Sequence, residues 1–210
     1  MAPANLLGIS DLHVGHPENR KIVENLRPTA DDDWLLVAGD VGELTEDIEW
    51  ALSTLRDHSR TPTAVTKEAA LEQAYEKGVV CTDEFLLHPD PCPSREAWCD
   101  ARVRESERRL AACDPDLPTV LVNHYPLVRH PTRILYHPEF AQWCGTARTA
   151  DWHRRFRARS VVYGHLRIPR TTWHDGVCFE EVSVGYPREW RRPGHPRNVS
   201  RRVLPETRTP

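Results

Sequence analysis

Short apolar runs alternate with amphipathic ones along most of this chain. NLLGIS (5–10) reads as a strand that stops at Asp11. NRKIVENL (19–26) puts Ile22, Val23 and Leu26 on one helical side. WLLVA follows an acidic turn and runs into Gly39-Asp40, a second buried strand. EDIEWALSTLRDH (46–58) carries Ile48, Ala51, Leu52 and Leu55 as the apolar stripe of a second helix. This β-α-β-α order calls for a third strand next. Instead HSRTPTAVT (58–66) is polar, contains Pro, and runs directly into another helical pattern, KEAALEQAYEKG (67–78).

Further along, Ser94 stands where an N-cap belongs, ahead of the helical stretch 95–113. PTVLVNHYP (118–126) is a buried strand ending in Asn123-His124, and SVVYGH (160–165) is another, ending in Gly164-His165. TTWHDGVCFEEVSVG (171–185) has the pattern of a hairpin turning at Asp175-Gly176. Residues 193–210, rich in Arg and Pro, read as a basic solvated tail. That leaves residues 1–192 as one domain with an apparent internal gap near 58–67.

Composition narrows the class. With 39% hydrophobic and 28% charged residues over 210 positions, the chain can build a core and remain soluble. A net charge of −3 argues against a nucleic-acid partner. No apolar run reaches the roughly 20 residues a membrane span needs. Six cysteines occur without a C-x-x-C pair, and the N-terminal residues have no signal-peptide pattern. Free thiols in the cytoplasm are the expectation.

The chemistry concentrates at strand ends. Four inferred strands stop at residues able to bind a metal: Asp11 with His13, Asp40, Asn123-His124, and His165. Carboxylate with imidazole suits Mn or Fe, and Zn is compatible. The carboxyl ends of neighbouring strands are where such a fold presents a site.

The order D-x-H, G-D, N-H, G-H-x-x resembles that of the calcineurin-like metallophosphoesterases. The resemblance implies an α/β (α+β) fold, a β-sandwich flanked by helices, with up to two divalent ions at the strand ends. It implies Asp11, His13 and Asp40 as ligands of one ion, and Asp40, His124 and His165 as ligands of the other. Asp40, His124 and His165 are then the catalytic residues, and a hydroxide between the ions attacks phosphorus. DLHVGHPENR, AGDVGE, VNHYPLVR, EFAQWCGTARTADWH and GHLRIPRTTWHDGV are similar to one branch of that family. That branch contains hydrolases that remove 4′-phosphopantetheine from acyl carrier proteins. The substrate implied is a phosphoester, a phosphopantetheinylated acyl carrier protein.

Two departures from the pattern stand out. Arg167 occupies the second His position of G-H-x-H, and no G-N-H occurs anywhere in the chain. The family carries G-N-H, and a strand before it, where this chain has the polar stretch near 58–67. Each ion thereby loses a ligand, so a weak or single-metal site is expected. An alternative is a decayed homologue that binds phosphate or carrier protein without turnover, with Arg167 as a phosphate clamp. Candidates to contact substrate are His16 and Asn19 after D-x-H, Arg129 after the His124 strand, Arg167 and Arg170, and Tyr186 and Arg188 in the last loop.

Overall fold

The computed structural model describes residues 5–26, 34–55, 71, 74–76, 78–191 and 200–204. The chain forms two compact units. The first is Met1–Thr61, Val120–His124 and Arg159–Pro210; the second is Pro62–Thr119 and Tyr125–Ala158.

The first unit holds two sheets. In one, β1 (Leu6–Ile9) lies between β2 (Trp34–Val37) and β7 (Arg201–Leu204). β1 pairs parallel with β2 and antiparallel with β7. The other sheet has the order β3 (Thr119–Val122), β4 (Ala158–Tyr163), β6 (Val177–Glu181), β5 (Thr171–His174). Ala38, Val162, Val182 and Val203 form a buried cluster between residues of both sheets. Beyond β1, Ser10 accepts from Val184 N and donates its N–H to Val182 O, which joins the two sheets near the strand ends. Two helices, α1 (Pro17–Asn25) and α2 (Thr45–Leu55), cover the first sheet. Val23 and Ala51 pack there with Ile9, Leu12 and Val37. This is the helix-flanked sandwich that the motif order implied.

Most expected elements are present. The hairpin turns at Asp175 and Gly176, both with positive φ (51° and 79°), the geometry a two-residue turn demands. The basic tail requires correction, because Arg201–Leu204 form β7 and Val203 is fully buried. Arg201 donates to the buried Glu180 through Nε and Nη2 at 3.0 and 2.9 Å, and to Thr171 Oγ1. A charge run thus conceals a half-buried ion pair at its edge. The polar stretch 58–66 and the apparent gap there lie outside the described residues.

In the second unit, Ser94 Oγ accepts from Ala97 N and caps the helix Arg95–Ala111, as its position predicted. Residues 71 and 74–76 of the preceding pattern are helical. Segment 79–87 contains a short helix, Asp83–Leu86. Tyr125 donates to Asp83 Oδ2 at 2.6 Å and Trp143 Nε1 to Glu84 Oε2 at 3.0 Å, which anchors it.

Candidate active site

Four strand ends of the first unit supply the site. Asp11 and His13 follow β1, Asp40 follows β2, His124 follows β3, and His165 follows β4. Backbone strain gathers here. Asp11, His13, Asp40, His165 and Arg167 all have positive φ, between 43° and 68°. For residues with a Cβ such φ values cost about 1–3 kcal/mol each and persist only where surroundings impose them. For Asp40 and Asp11 the carbonyls are held by Leu12 N at 2.8 Å and Gly185 N at 3.1 Å.

Asp11, His13 and Asp40 converge, with one ligand atom from each lying within 4.8 Å of the others. Asp11 Oδ2 accepts from Ser10 Oγ at 2.5 Å, Ser183 Oγ at 2.8 Å and the His165 N–H at 3.0 Å. Asp11 Oδ1 and His13 Nε2 are buried without a hydrogen-bond partner. Buried orphan acceptors are costly unless something else satisfies them. A carboxylate oxygen and an imidazole nitrogen held apart in this way fit a divalent cation. The other ring nitrogen of His13 lies 3.3 Å from Glu43 Oε1, the kind of outer contact that fixes a metal-binding tautomer.

Charge at the site follows from these neighbours. Burial pushes the Asp11 pKa upward, but His124, Arg167 and the Ser10 hydroxyl outweigh it and bring it down to about 2. Asp40 is pushed up, by burial first and by the Asp11 charge second. Glu181, fully buried, is raised to about 8 by burial and by Asp11. Ser183 Oγ lies 2.8 Å from Asp11 Oδ2 and 2.5 Å from Glu181 Oε1. A hydroxyl has one proton to give. Both contacts are satisfied when Glu181 carries a proton and donates it to Ser183.

His124 and His165 lie outside that three-residue grouping but next to it, the His165 N–H bonding to Asp11. Their rings meet edge to face, with His124 Nε2 3.1 Å from His165 Nδ1. A Cβ on Gly39 would come within 3.0 Å of His124 Cβ, and Gly39 has φ +88°. The G-D motif therefore needs its glycine on both counts.

Arg167 occupies the centre of the loop cluster. Its Nε is 3.7 Å from Asp11 Oδ1, and its Cζ lies 4.3 Å from the Tyr186 ring centroid. The Tyr186 ring stacks on His13 at 4.0 Å with a 17° interplanar angle. His16 is exposed and edge-on to Tyr186, and Arg188 is exposed with its Cζ 5.0 Å from that ring. Arg170 is half-buried just before β5. Arg129 belongs to the second unit and is exposed. Asn19 departs from expectation. It is buried, its amide donates to Leu12 O and Gly185 O, and its oxygen accepts from Trp190 Nε1. With both amide protons used, it braces the Asp11–His13 loop against the Tyr186 loop.

Residue patterns alone missed Ser10, Glu43, Glu181, Ser183 and Glu189. Serines and glutamates are ordinary in loops and strands. What marks these is contact: Ser10 and Ser183 face each other in a parallel bridge, and Glu189 accepts from Tyr186 N at 2.7 Å.

A helix-flanked β-sandwich with Asp, His and Asp converging at its strand ends is the framework of enzymes that hydrolyse phosphoric esters, and the chain belongs to the metallophosphoesterase family. Among its relatives, it is 42% identical to the [Acyl-carrier-protein] phosphodiesterase PptH of Mycobacterium tuberculosis (strain ATCC 25618 / H37Rv), over 98% of this chain and 85% of the relative. The crystal structure of Phosphopantetheinyl Hydrolase (PptH) from Mycobacterium tuberculosis overlays with a TM-score of 0.89 and 41% identity, covering 98% of this chain and 97% of that one. A conserved uncharacterized protein of Streptococcus pneumoniae TIGR4, described as a predicted phosphoesterase, overlays at a TM-score of 0.39 with 16% identity, over 89% of this chain and 77% of that one. No family model matches the chain. The alignment to the mycobacterial relative runs over 275 residues, although this chain has 210. It therefore crosses several dozen positions of the relative that have no counterpart here.

Proposed function

We propose that this protein is a metal-dependent phosphodiesterase that releases 4′-phosphopantetheine from phosphopantetheinylated acyl carrier protein. The observation that carries the reading is the Asp11–His13–Asp40 grouping with its two orphaned acceptors. The mycobacterial relative's name supports the substrate. Asp11, His13 and Asp40 would hold one divalent ion, and Asp40, His124 and His165 a second. When bound, such ions supply positive charge to the phosphoryl oxygens and lower the pKa of water. Mn or Fe suits these donors best, and zinc fits the same types.

The chain's own residues do the rest. Asp40 would be shared between the two sets, and its side chain is partly exposed, at 27%. His124 Nε2 and His165 Nδ1 lie 3.1 Å apart at the second set, and the proton between them has to leave before both rings could ligate an ion. Arg167 sets its positive charge beside Asp11, suited to a phosphoryl oxygen. The same charge competes with a cation for Asp11 Oδ1, so occupancy of the first position is weak. We place the missing stretch of the relative at residues 58–67, where G-N-H is absent. No disulfide joins the cysteines among the described residues, and no described helix is long and apolar enough to cross a membrane.

The test is release of 4′-phosphopantetheine from a holo carrier protein with added Mn²⁺. Asp40→Asn is expected to lower kcat by more than about a hundredfold, since it weakens both sets together. Undiminished turnover in that variant would sink the reading. Binding of holo carrier protein with no turnover at any metal concentration would favour the decayed homologue instead.

A further inference from the structure

The second unit carries a surface that the hydrolytic site does not account for. From Tyr125 to Pro138 the chain has no Asp or Glu but contains Arg129, His130, Arg133 and His137, in a protein of net charge −3. The segment is pinned from below. Pro131 and Thr132 are buried, and Thr132 Oγ1 donates to Arg129 O at 2.9 Å. Thr149 Oγ1 donates to Leu127 O at 2.8 Å and fastens its start. On this base Arg129, Arg133, Ile134, Tyr136 and His137 point outward, with Tyr136 91% exposed and packed edge to face with His137 at 4.7 Å.

The two arginines differ from most others in their unit. Arg95, Arg104, Arg108, Arg109, Arg148 and Arg155 each pair with a carboxylate. Arg129 and Arg133 form no ion pair among the described residues. A rigid turn that offers unneutralised Arg beside an exposed aromatic and an exposed Ile has the makings of a protein contact. Tyr and Arg are the types that dominate binding energy, and a preformed surface loses little entropy on binding. Two unpaired positive charges select a partner face that is negative.

We infer that the His130–His137 turn is a docking surface for an acidic protein, and that its occupant is the acidic face of the carrier protein bearing the phosphopantetheine. The identity of the occupant rests on the proposed function; the sign and chemistry of the surface do not.

The test uses the full chain and a purified holo acyl carrier protein. Its Kd is measured for the unaltered protein, for Arg133→Glu and for Tyr136→Ala, alongside hydrolysis of a small chromogenic phosphodiester. Arg133→Glu is expected to weaken carrier-protein binding about tenfold, and added salt to weaken binding by the unaltered protein. Tyr136→Ala is expected to weaken binding without changing its salt dependence. Both variants are expected to hydrolyse the small diester at the unaltered rate. Unchanged carrier-protein affinity in both variants, or no binding by the unaltered protein, would overturn the docking surface. Carrier-protein binding that Arg133→Glu weakens, without release of phosphopantetheine, would uphold the surface and refute the proposed activity.

Discussion

Arg167 is the residue on which the site's chemistry turns. Its guanidinium sits 3.7 Å from Asp11 Oδ1, an oxygen that accepts no hydrogen bond. Replacing it with His removes that cation and adds an imidazole, so Arg167→His is expected to raise metal content per chain, read by elemental analysis after dialysis. Equal metal content in both proteins would show that the arginine does not compete. Glu181 makes a second prediction, in the metal-free protein. Its folded pKa is raised to about 8 from 4.5, so the folded state holds a proton that the unfolded state has released between those values. Stability therefore falls as pH rises through that window. Urea midpoints between pH 5 and 8 are expected to decline, and Glu181→Gln to flatten the slope. At this scale the Asp and His residues that gather at the strand ends were plain from the motifs, because each follows a short apolar run. Ser10, Ser183 and Glu181 were not, because their role exists only once β1 and the end of β6 lie side by side.

The strand ends themselves impose the next constraints. A Cβ on Gly164 would collide with Ser10 Oγ and Asp11 Oδ2. Gly164→Ala is expected to cost about 1–3 kcal/mol by overpacking and to lower metal affinity with it. Thermal melting and metal titration check both. A loss of stability with metal affinity intact would mean that Asp11 moves aside without consequence. The strands and helices of the first unit were legible because apolar runs and stripes declared them. β7 was not. Its RRVL has only one residue fully inside the core, Val203, and the flanking Arg and Pro residues obscure it. Asn19 misled for a related reason: a polar residue near D-x-H looks like a contact for ligand, whereas burial turned it into a brace between two loops.

At the scale of the molecule, ion binding and folding are linked. A cation that binds only the folded site stabilises it by RT ln(1 + [M]/Kd), about 2.7 kcal/mol at a hundredfold excess over Kd. Added Mn²⁺ is expected to raise the melting temperature, and Asp40→Asn to abolish the rise. A shift that persists in the variant would locate the ion elsewhere. The sandwich was readable from the order of motifs even though the expected strand before G-N-H was not in the sequence. The gap was read from a break in the β-α rhythm, and the residues there lie outside those described.

The pairing of Leu6 with Leu204 has a consequence for how the protein is made. β1, which leads into Asp11 and His13, leaves the ribosome long before its antiparallel neighbour does. During synthesis that edge of β1 stays open and its apolar face stays wet. A strand in this state is a target for holding chaperones and for association between nascent chains. The phosphoesterase site therefore matures only once Arg201–Leu204 have emerged, and ribosome-bound chains stalled before residue 201 should bind no metal.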